Sequence, residues 1–542
     1  MPATFGYRSQ VLPPRSAYEP GEDNTGCSEE NLKWVMVATI LGSGLAFMDG
    51  SIVNVAMPTL QTDFGATSSA IQWVVQSYTL FSAALLLLGG TLGDRYGRRR
   101  IFFWGVALFA IASAGCAAAS TLGLLVAARA VQGIGAAMLI PQGLSILSVS
   151  YPEKRRAKAI GTWSAWTSVF AALGPVVGGW LVQAWSWRLI FVLNLPIALT
   201  VLVMTRRIPE SKANGKDGKP VPLDRLGATL ATVGFAAVIY ALSFAPEFGW
   251  DDARVLSLLG VGGALLAGFL WSQAGRVGAM MPLGLFRIPR FLAPNLLTFL
   301  LYGALYGSLY VTPFYLIQVR HYKPAMAGAV FLPLIALMFL FSTWAGGMVA
   351  KVGERLLLCA GAGLAGAGYV AFAVFDRNET YVTGVLPGVL LLGAGLTLSV
   401  APLTSAVMSS VSESEAGVAS AVNNAISRLA GLLAVSLLSI VLAHGFGAAL
   451  ARQLHQSDLP GDVQKTMLAS QGRLHDTPIP ASLPAEQRVK AEGMLDTSFL
   501  AGFRLVMLFC AGGAWLGALA VALLLKEGDR PGVSPVAPVA GT

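Results

Sequence analysis

Long apolar stretches alternate with short polar ones along almost the whole chain. Fourteen apolar runs stand out, at about 34–58, 71–92, 101–119, 122–149, 160–182, 188–205, 226–244, 254–273, 291–319, 325–350, 355–375, 381–408, 416–443 and 499–525. A helix needs about 20 residues to cross roughly 30 Å of hydrocarbon, and most of these runs are of that order. A bilayer offers no water to a peptide group, so each run must satisfy its backbone internally, as an α-helix does. The pattern predicts an all-α polytopic membrane protein with fourteen transmembrane helices. An even number puts both termini on one side.

Charge chooses the side. With the N-terminus inside, the inner segments hold 24 Lys and Arg and the short outer loops hold 5. The long segment 444–498 holds 5 more, but long loops bear little on orientation. This bias predicts cytoplasmic termini in the cell inner (plasma) membrane. It also accounts for the formal net charge of +9, so nucleic acid is not expected as a partner. Charged residues make up 12% of the 542, where a soluble domain carries about 25%. Cys27, Cys116, Cys359 and Cys510 have neither metal-ligand nor disulfide spacing. Residues 1–33 lack a signal-peptide pattern, and the first run reads as an uncleaved span. No G-x-x-x-x-G-K-[ST] phosphate loop occurs, so ATP is not expected to drive the protein. No catalytic group, metal or cofactor is implied, and an ion gradient is left as the driving force.

The two ends of the chain repeat one another. The stretch from Gly346 to Arg355 looks like a decayed copy of that from Gly89 to Arg100. Gly133, Gly135 and Pro141 in the fourth run are echoed by Gly393, Gly395 and Pro402 in the twelfth, about 260 residues on. The second and fourth runs therefore map onto the tenth and twelfth. That predicts six-plus-six helical repeats with two helices inserted between them. The segments expected are a tail at 1–33, a six-helix bundle at 34–205, and a connector with two inserted helices at 206–290. A second bundle follows at 291–526, with an outer loop at 444–498 read as a solvated cap with short helices, then a tail at 527–542. Parallel six-helix repeats related by an axis along the membrane normal are an arrangement of secondary transporters. A monomer is expected.

Five stretches stand out for their chemistry or their pattern. Gly93, Asp94, Arg95, Gly97 and Arg98 lie in a tight loop between the second and third runs. An acid among arginines at helix ends can hold or release an ion-pair latch. The stretch closely resembles the loop between the second and third helices of the major facilitator superfamily, roughly G-x-L-a-D-r-x-G-r-r. Asp49 lies inside an otherwise uncharged first run, where an ionised carboxylate costs several kcal/mol unless it is paired or hydrated. That makes it a proton-binding candidate. Its surroundings resemble the L-D-x-T-x-V-N-V-A-L-P motif of the fourteen-span drug/proton antiporter family. Arg129, Gln132, Gly133 and Gly135 resemble the family's R-x-x-q-G-x-g motif, whose arginine is implicated in proton coupling. Gly174, Pro175, Gly178 and Gly179 match G-P-x-x-G-G, a motif associated with antiporters. Trp187 to Pro196 resembles the W-R-x-x-F-x-x-N-x-P approach to the sixth helix.

A substrate cavity is expected between the halves. Its candidate lining is Asn54, Trp73, Gln132, Trp163, Trp166, Tyr302, Tyr306, Tyr310, Asn423, Asn424 and Arg428. Tyr302, Tyr306 and Tyr310 fall every fourth residue and so share a helix face. Arg428 lies about 18 Å along its helix, near mid-membrane, and must face the interior or a watery cavity. Deep acids are missing from the last six runs, which turns the expectation away from dicationic substrates. The resemblance implies a proton-coupled exporter of small lipophilic compounds working by alternating access, with protons, a small molecule and the bilayer as partners. A dedicated exporter of one antibiotic, siderophore or amino acid, or a non-transporting sensor on the same scaffold, are the alternatives.

Overall fold

A computed structural model of the chain describes residues 29–66, 68–212, 224–249, 251–274, 281, 283–322, 324–374, 380–411, 415–469, 477–480 and 483–525. Residues 1–28 of the first expected tail, the whole of the second, most of the 206–225 connector and Cys27 fall outside the described residues.

The apolar runs form helices: α1 (Glu29–Phe64), α2 (Ser68–Ala84), α3 (Leu86–Tyr96), α4 (Arg98–Ala117), α5 (Leu122–Ser150), α6 (Glu153–Ala184), α7 (Leu189–Val192) and α8 (Asn194–Met204). The inserted pair is α9 (Arg225–Phe248) and α10 (Ala253–Gln273). Then come α11 (Pro289–Phe314), α12 (Pro324–Ala329), α13 (Leu332–Val352), α14 (Glu354–Val374), α15 (Leu386–Ser409), α16 (Ala416–His455), α17 (Gly461–Ala469) and α18 (Ala485–Leu524). Among the described residues thirteen helical segments are long and apolar enough to cross a membrane, or fourteen if the bent pair α2–α3 counts as one span.

That bent pair departs from the single straight span expected at 71–92. The chain turns by 47° between the two pieces. Proline is not the cause. Thr79 and Ser82 donate their hydroxyls back to the carbonyls of Val75 and Thr79, at 3.0 and 3.1 Å, just before the break at Leu85. Such back-bonding competes with the ladder and bends helices. The loop expected at 93–100 is also shorter than its sequence suggests. Helix α3 runs through Asp94 and Arg95, and α4 begins at Arg98. Gly97 alone makes the corner, with φ at 111°, a conformation that needs glycine. We call the end of the bundle that carries this corner the basic end.

Helices α1–α8 pack on one another, as do α11–α18. The halves meet along two seams, α3 with α16 and α6 with α13. Glycine sets both. A Cβ on Gly90 would stand 2.6 Å from the carbonyl oxygen of Gly417, and one on Gly346 would stand 2.5 Å from that of Ala157. Helix α9 covers the outside of the α2–α16 junction, where Tyr240 packs on Trp73 with ring centroids 5.4 Å apart. Gln273 ties the pair at the basic end, donating to Asp224 at 2.6 Å while Asp224 caps α9.

The outer segment 444–498 differs most from expectation. Helices α16 and α18 continue far past the apolar runs, each 40 residues long, or about 60 Å at 1.5 Å per residue. Their extensions zip together through buried Phe446, Leu450 and Leu454 on one side and Ala491, Met494 and Leu495 on the other. Gln453 donates to Ser498 across the pair at 2.9 Å. Strong helix formers with a four-residue apolar spacing make this a helical hairpin rather than a loop.

In α6, Pro175 has no N–H, so the carbonyl of Ala171 loses its ladder partner. Ser51 of α1 donates to it at 2.8 Å. Gly174 makes room, since a Cβ there would lie 2.1 Å from that same Ser51 oxygen and 2.9 Å from the Met48 carbonyl. Gly174→Val is expected to wedge α1 from α6, costing about 1–3 kcal/mol. Thermal unfolding of the purified variant in detergent checks this as a lowered melting temperature.

Candidate transport site

Between the halves lies a cavity of about 1010 Å³. Its wall runs from Leu144, Trp163 and Thr404 nearest the basic end to Met57, Gln72 and Tyr310 nearest the opposite end. Of the expected lining residues, Asn54, Trp163, Tyr302, Tyr306, Tyr310, Asn423, Asn424 and Arg428 are on this wall. The tyrosines share one face of α11, and Tyr302 and Tyr306 stand with centroids 6.1 Å apart. Asn423 donates to Thr298 at 2.8 Å and to Asn295 at 3.2 Å. Arg428 reaches across to the other half and donates to Ser82 at 3.1 Å.

Three expected lining residues lie elsewhere. Trp73 faces α9, against Tyr240. Trp166 packs edge-on against Phe339 with centroids 5.2 Å apart and is 45% exposed. Gln132 turns into the interior of the first half, where it joins Asp49 and Arg129.

That interior cluster is the second feature of the site. Asp49 and Arg129 are fully buried and form an ion pair. The Asp49 carboxylate also accepts from Gln132 Nε2 at 2.8 Å and from Asn194 Nδ2 at 2.9 Å. Arg129 donates further to the Val74 carbonyl at 3.0 Å and to Gln132 Oε1 at 2.7 Å. Ser113 accepts from Gln132 at 2.8 Å and from Asn194 at 3.3 Å. Among the described residues, each hydrogen bond at Asp49 is donated to its carboxylate, by Arg129, Gln132 and Asn194. Ser113 was missed as a site residue, and its sequence signal is only a polar side chain inside an apolar run. Asn194 is the asparagine of the W-R-x-x-F-x-x-N-x-P stretch, to which no site role was given.

Tyr78 separates the cluster from the cavity. Its ring lies over the Arg129 guanidinium, 4.4 Å from centroid to carbon, and its hydroxyl donates to the Ala46 carbonyl at 2.9 Å. It also belongs to the cavity wall, whereas Asp49 does not. One aromatic ring therefore stands between the buried pair and the cavity.

The third feature closes the basic end. Asp94 accepts from Arg98 at 2.9 and 3.0 Å and, across the seam, from the backbone N–H groups of Gly417 and Val418 at 3.2 and 3.1 Å. These are the first turn of α16, where a helix presents unpaired N–H groups and partial positive charge. Gly417 admits the carboxylate, since a Cβ there would lie 2.5 Å from it. Gly93 likewise leaves room for Gln142, which donates to the Gly89 carbonyl at 2.8 Å. Arg99 bonds the Ile208 carbonyl at 3.1 Å, and Arg95 lies over Tyr96. Neither arginine touches Asp94 within the described contacts.

Two helical repeats, a cavity at their interface and two glycine seams at one end define a secondary-transporter scaffold. The Major Facilitator Superfamily profile matches residues 39–435, and the chain belongs to that superfamily. It is 34% identical over 435 residues to the multidrug resistance protein Stp of Mycobacterium tuberculosis, covering 80% of each chain. It is 28% identical over 498 residues to the tetracenomycin C resistance and export protein of Streptomyces glaucescens, covering 91% of each. The fold is similar to the crystal structure of the human organic anion transporter MFSD10 (TETRAN), with a TM-score of 0.58 and 14% identity over 90% of this chain and 99% of that one.

Asp94→Ala would remove the two hydrogen bonds that cross the seam from Gly417 and Val418, whereas Arg98 lies on Asp94's own side and loses its partner in either state. Hydrogen bonds to a charged group are worth about 1.5–3 kcal/mol each, enough to lower the closed population by about tenfold or more. Spin labels at Arg100 and Lys351, in a background without native cysteines, are expected to report a longer distance in Asp94→Ala than in the parent.

Proposed function

We infer that the protein exports small lipophilic drugs or metabolites across the plasma membrane in exchange for protons. The observation that carries this reading is the buried Asp49–Arg129 pair lying one tyrosine ring from the cavity. The relatives support the export half of it, since they are named for drug and antibiotic resistance and for export. The charge bias of the loops supports a cytoplasmic basic end and cytoplasmic termini.

The mechanism follows from the geometry. With the basic end latched, the cavity is sealed from the cytoplasm and serves the outside. Bound substrate leaves on that side. Asp49 then takes up a proton, which removes its charge and releases Arg129 from the pair. Arg129 remains charged at any physiological pH and must find other acceptors. Its Val74 and Gln132 contacts and the Tyr78 ring are the groups that feel the change. Rearrangement there tilts α2 and α5 against the rest and works the Asp94 latch open. Inside, the proton leaves, the pair re-forms, and a new substrate molecule is carried outward. An inward proton supplies about 2.3 kcal/mol per 100 mV, together with the pH gradient. The halves at 34–205 and 291–526 would be the rocking units, with 206–290 holding the inserted pair.

Proteoliposomes loaded with a pH-sensitive dye test this. Lipophilic cations, neutral antibiotics and organic acids are added one at a time under an imposed pH gradient. Proton movement is expected with at least one class and is expected to vanish in Asp49→Asn. Substrate flux that keeps its full proton coupling in Asp49→Asn would falsify the assignment.

A further inference from the structure

Arg428 is half-buried on the cavity wall and differs from the two arginines that are fully buried among the described residues. Arg129 is paired with Asp49 and Arg98 with Asp94. Arg428 has no carboxylate within ion-pair distance among the described residues. Its described contact is the hydroxyl of Ser82. Among the described residues of the cavity wall it is also the one charged side chain, and the wall includes no Asp or Glu.

Cost makes this informative. Arg428 lies twelve residues into α16, about 18 Å from its start and near mid-membrane. An unpaired guanidinium at that depth is expensive unless water or a counter-ion reaches it. The cavity gives that access. A guanidinium also offers five N–H donors in a planar fork that fits a carboxylate, and the described hydrogen bond uses one of them. Beside it on α16 are Asn424 and Ser427, and elsewhere the wall carries large lipophilic side chains, among them Phe47, Trp163, Tyr306, Ile335 and Met338. The volume of about 1010 Å³ suits a drug-sized molecule.

We propose that Arg428 anchors a single acidic group, a carboxylate or an ionised phenol or enol, on an otherwise lipophilic substrate. The preferred cargo is then an amphipathic organic acid. The substrate's acid supplies the counter-charge that the wall lacks, and its rings lie against the aromatic and aliphatic side chains. Ser82 is the partner that Arg428 gives up or shares on binding. This rests on reading the cavity as the substrate site.

The experiment uses the full chain in lipid nanodiscs with no gradient, so it is independent of proton coupling. The probes are naphthalene, anthracene and pyrene, each as its carboxylate and as its uncharged carboxamide. Binding is read by quenching of tryptophan fluorescence, to which Trp163 on the wall contributes. The carboxylates are expected to bind at least about tenfold more tightly than their amides. In Arg428→Gln that ratio is expected to fall to near one, and in Arg428→Lys to be largely kept. Equal binding of acids and amides by the parent protein overturns the proposal. So does a preference that survives in Arg428→Gln, or binding of none of the acids. If Arg428→Gln melts and elutes like the parent yet binds neither acids nor amides, the arginine serves architecture and the proposal also fails. Loss of proton-coupled export in the separate liposome assay, with acid preference intact, would instead count against the antiport reading alone.

Discussion

Close backbone approach holds this molecule together. Inside a bilayer, helices gain nothing by hiding apolar side chains from lipid, so they must bind through contact and hydrogen bonding. Glycine supplies the contact. Gly135 lies against the backbone of α4, where a Cβ would meet Phe109 at 2.8 Å, and Gly395 lies against α14, where a Cβ would meet Ala365 at 2.5 Å. These two positions are related by the internal repeat, and so are the seams at Gly90 and Gly346. The same device therefore builds each half and joins the halves. The joints across the halves differ from those within them in one respect. They lie only toward the basic end, and the space left at the other end is the cavity.

Polar groups in the first half are gathered where such packing would otherwise strand them. Asp49, Ser113, Arg129, Gln132 and Asn194 come from four helices and hydrogen-bond one another, with Arg129 Nη2 and Asn194 Oδ1 left over. A connected network of this kind is rigid while every member keeps its charge state. A change at one member leaves several donors without acceptors. Tyr78 is where that disturbance meets the cavity, because it touches Arg129 with its face, Ala46 with its hydroxyl and the cavity with its edge.

The fold was legible in the sequence because hydrocarbon thickness imposes one length on every span, and charge marks which loops share a side. Tyr302, Tyr306 and Tyr310 reached one surface because four-residue spacing keeps a single helix face. Orientation about each helix axis was far less legible. Spans such as α1 and α5 are apolar nearly all round, so nothing in their periodicity says that Asp49 and Gln132 face the bundle interior rather than the cavity. Gln132 shares a face with Arg129, as the three-residue spacing requires, but that face points away from the substrate space. The bend at Leu85 was invisible because it arises from hydroxyl back-bonding rather than from a proline. The outer hairpin was missed because its residues are too polar to register as span, while their helix propensity and mutual packing carry α16 and α18 onward.

Helix α16 ties these parts into one body. Its first turn grips Asp94, its third and fourth turns place Asn424 and Arg428 on the cavity wall, and its last turns form half of the hairpin with α18. It is continuous from Ala416 to His455. A rod held at one end amplifies rotation at the other. A 10° tilt about the latch would carry the far tip of a helix about 60 Å long through roughly 10 Å. Whatever grasps the hairpin therefore has mechanical purchase on the Asp94 contact at the other end of the same helix. The longest polar segment of the chain is in this sense a handle.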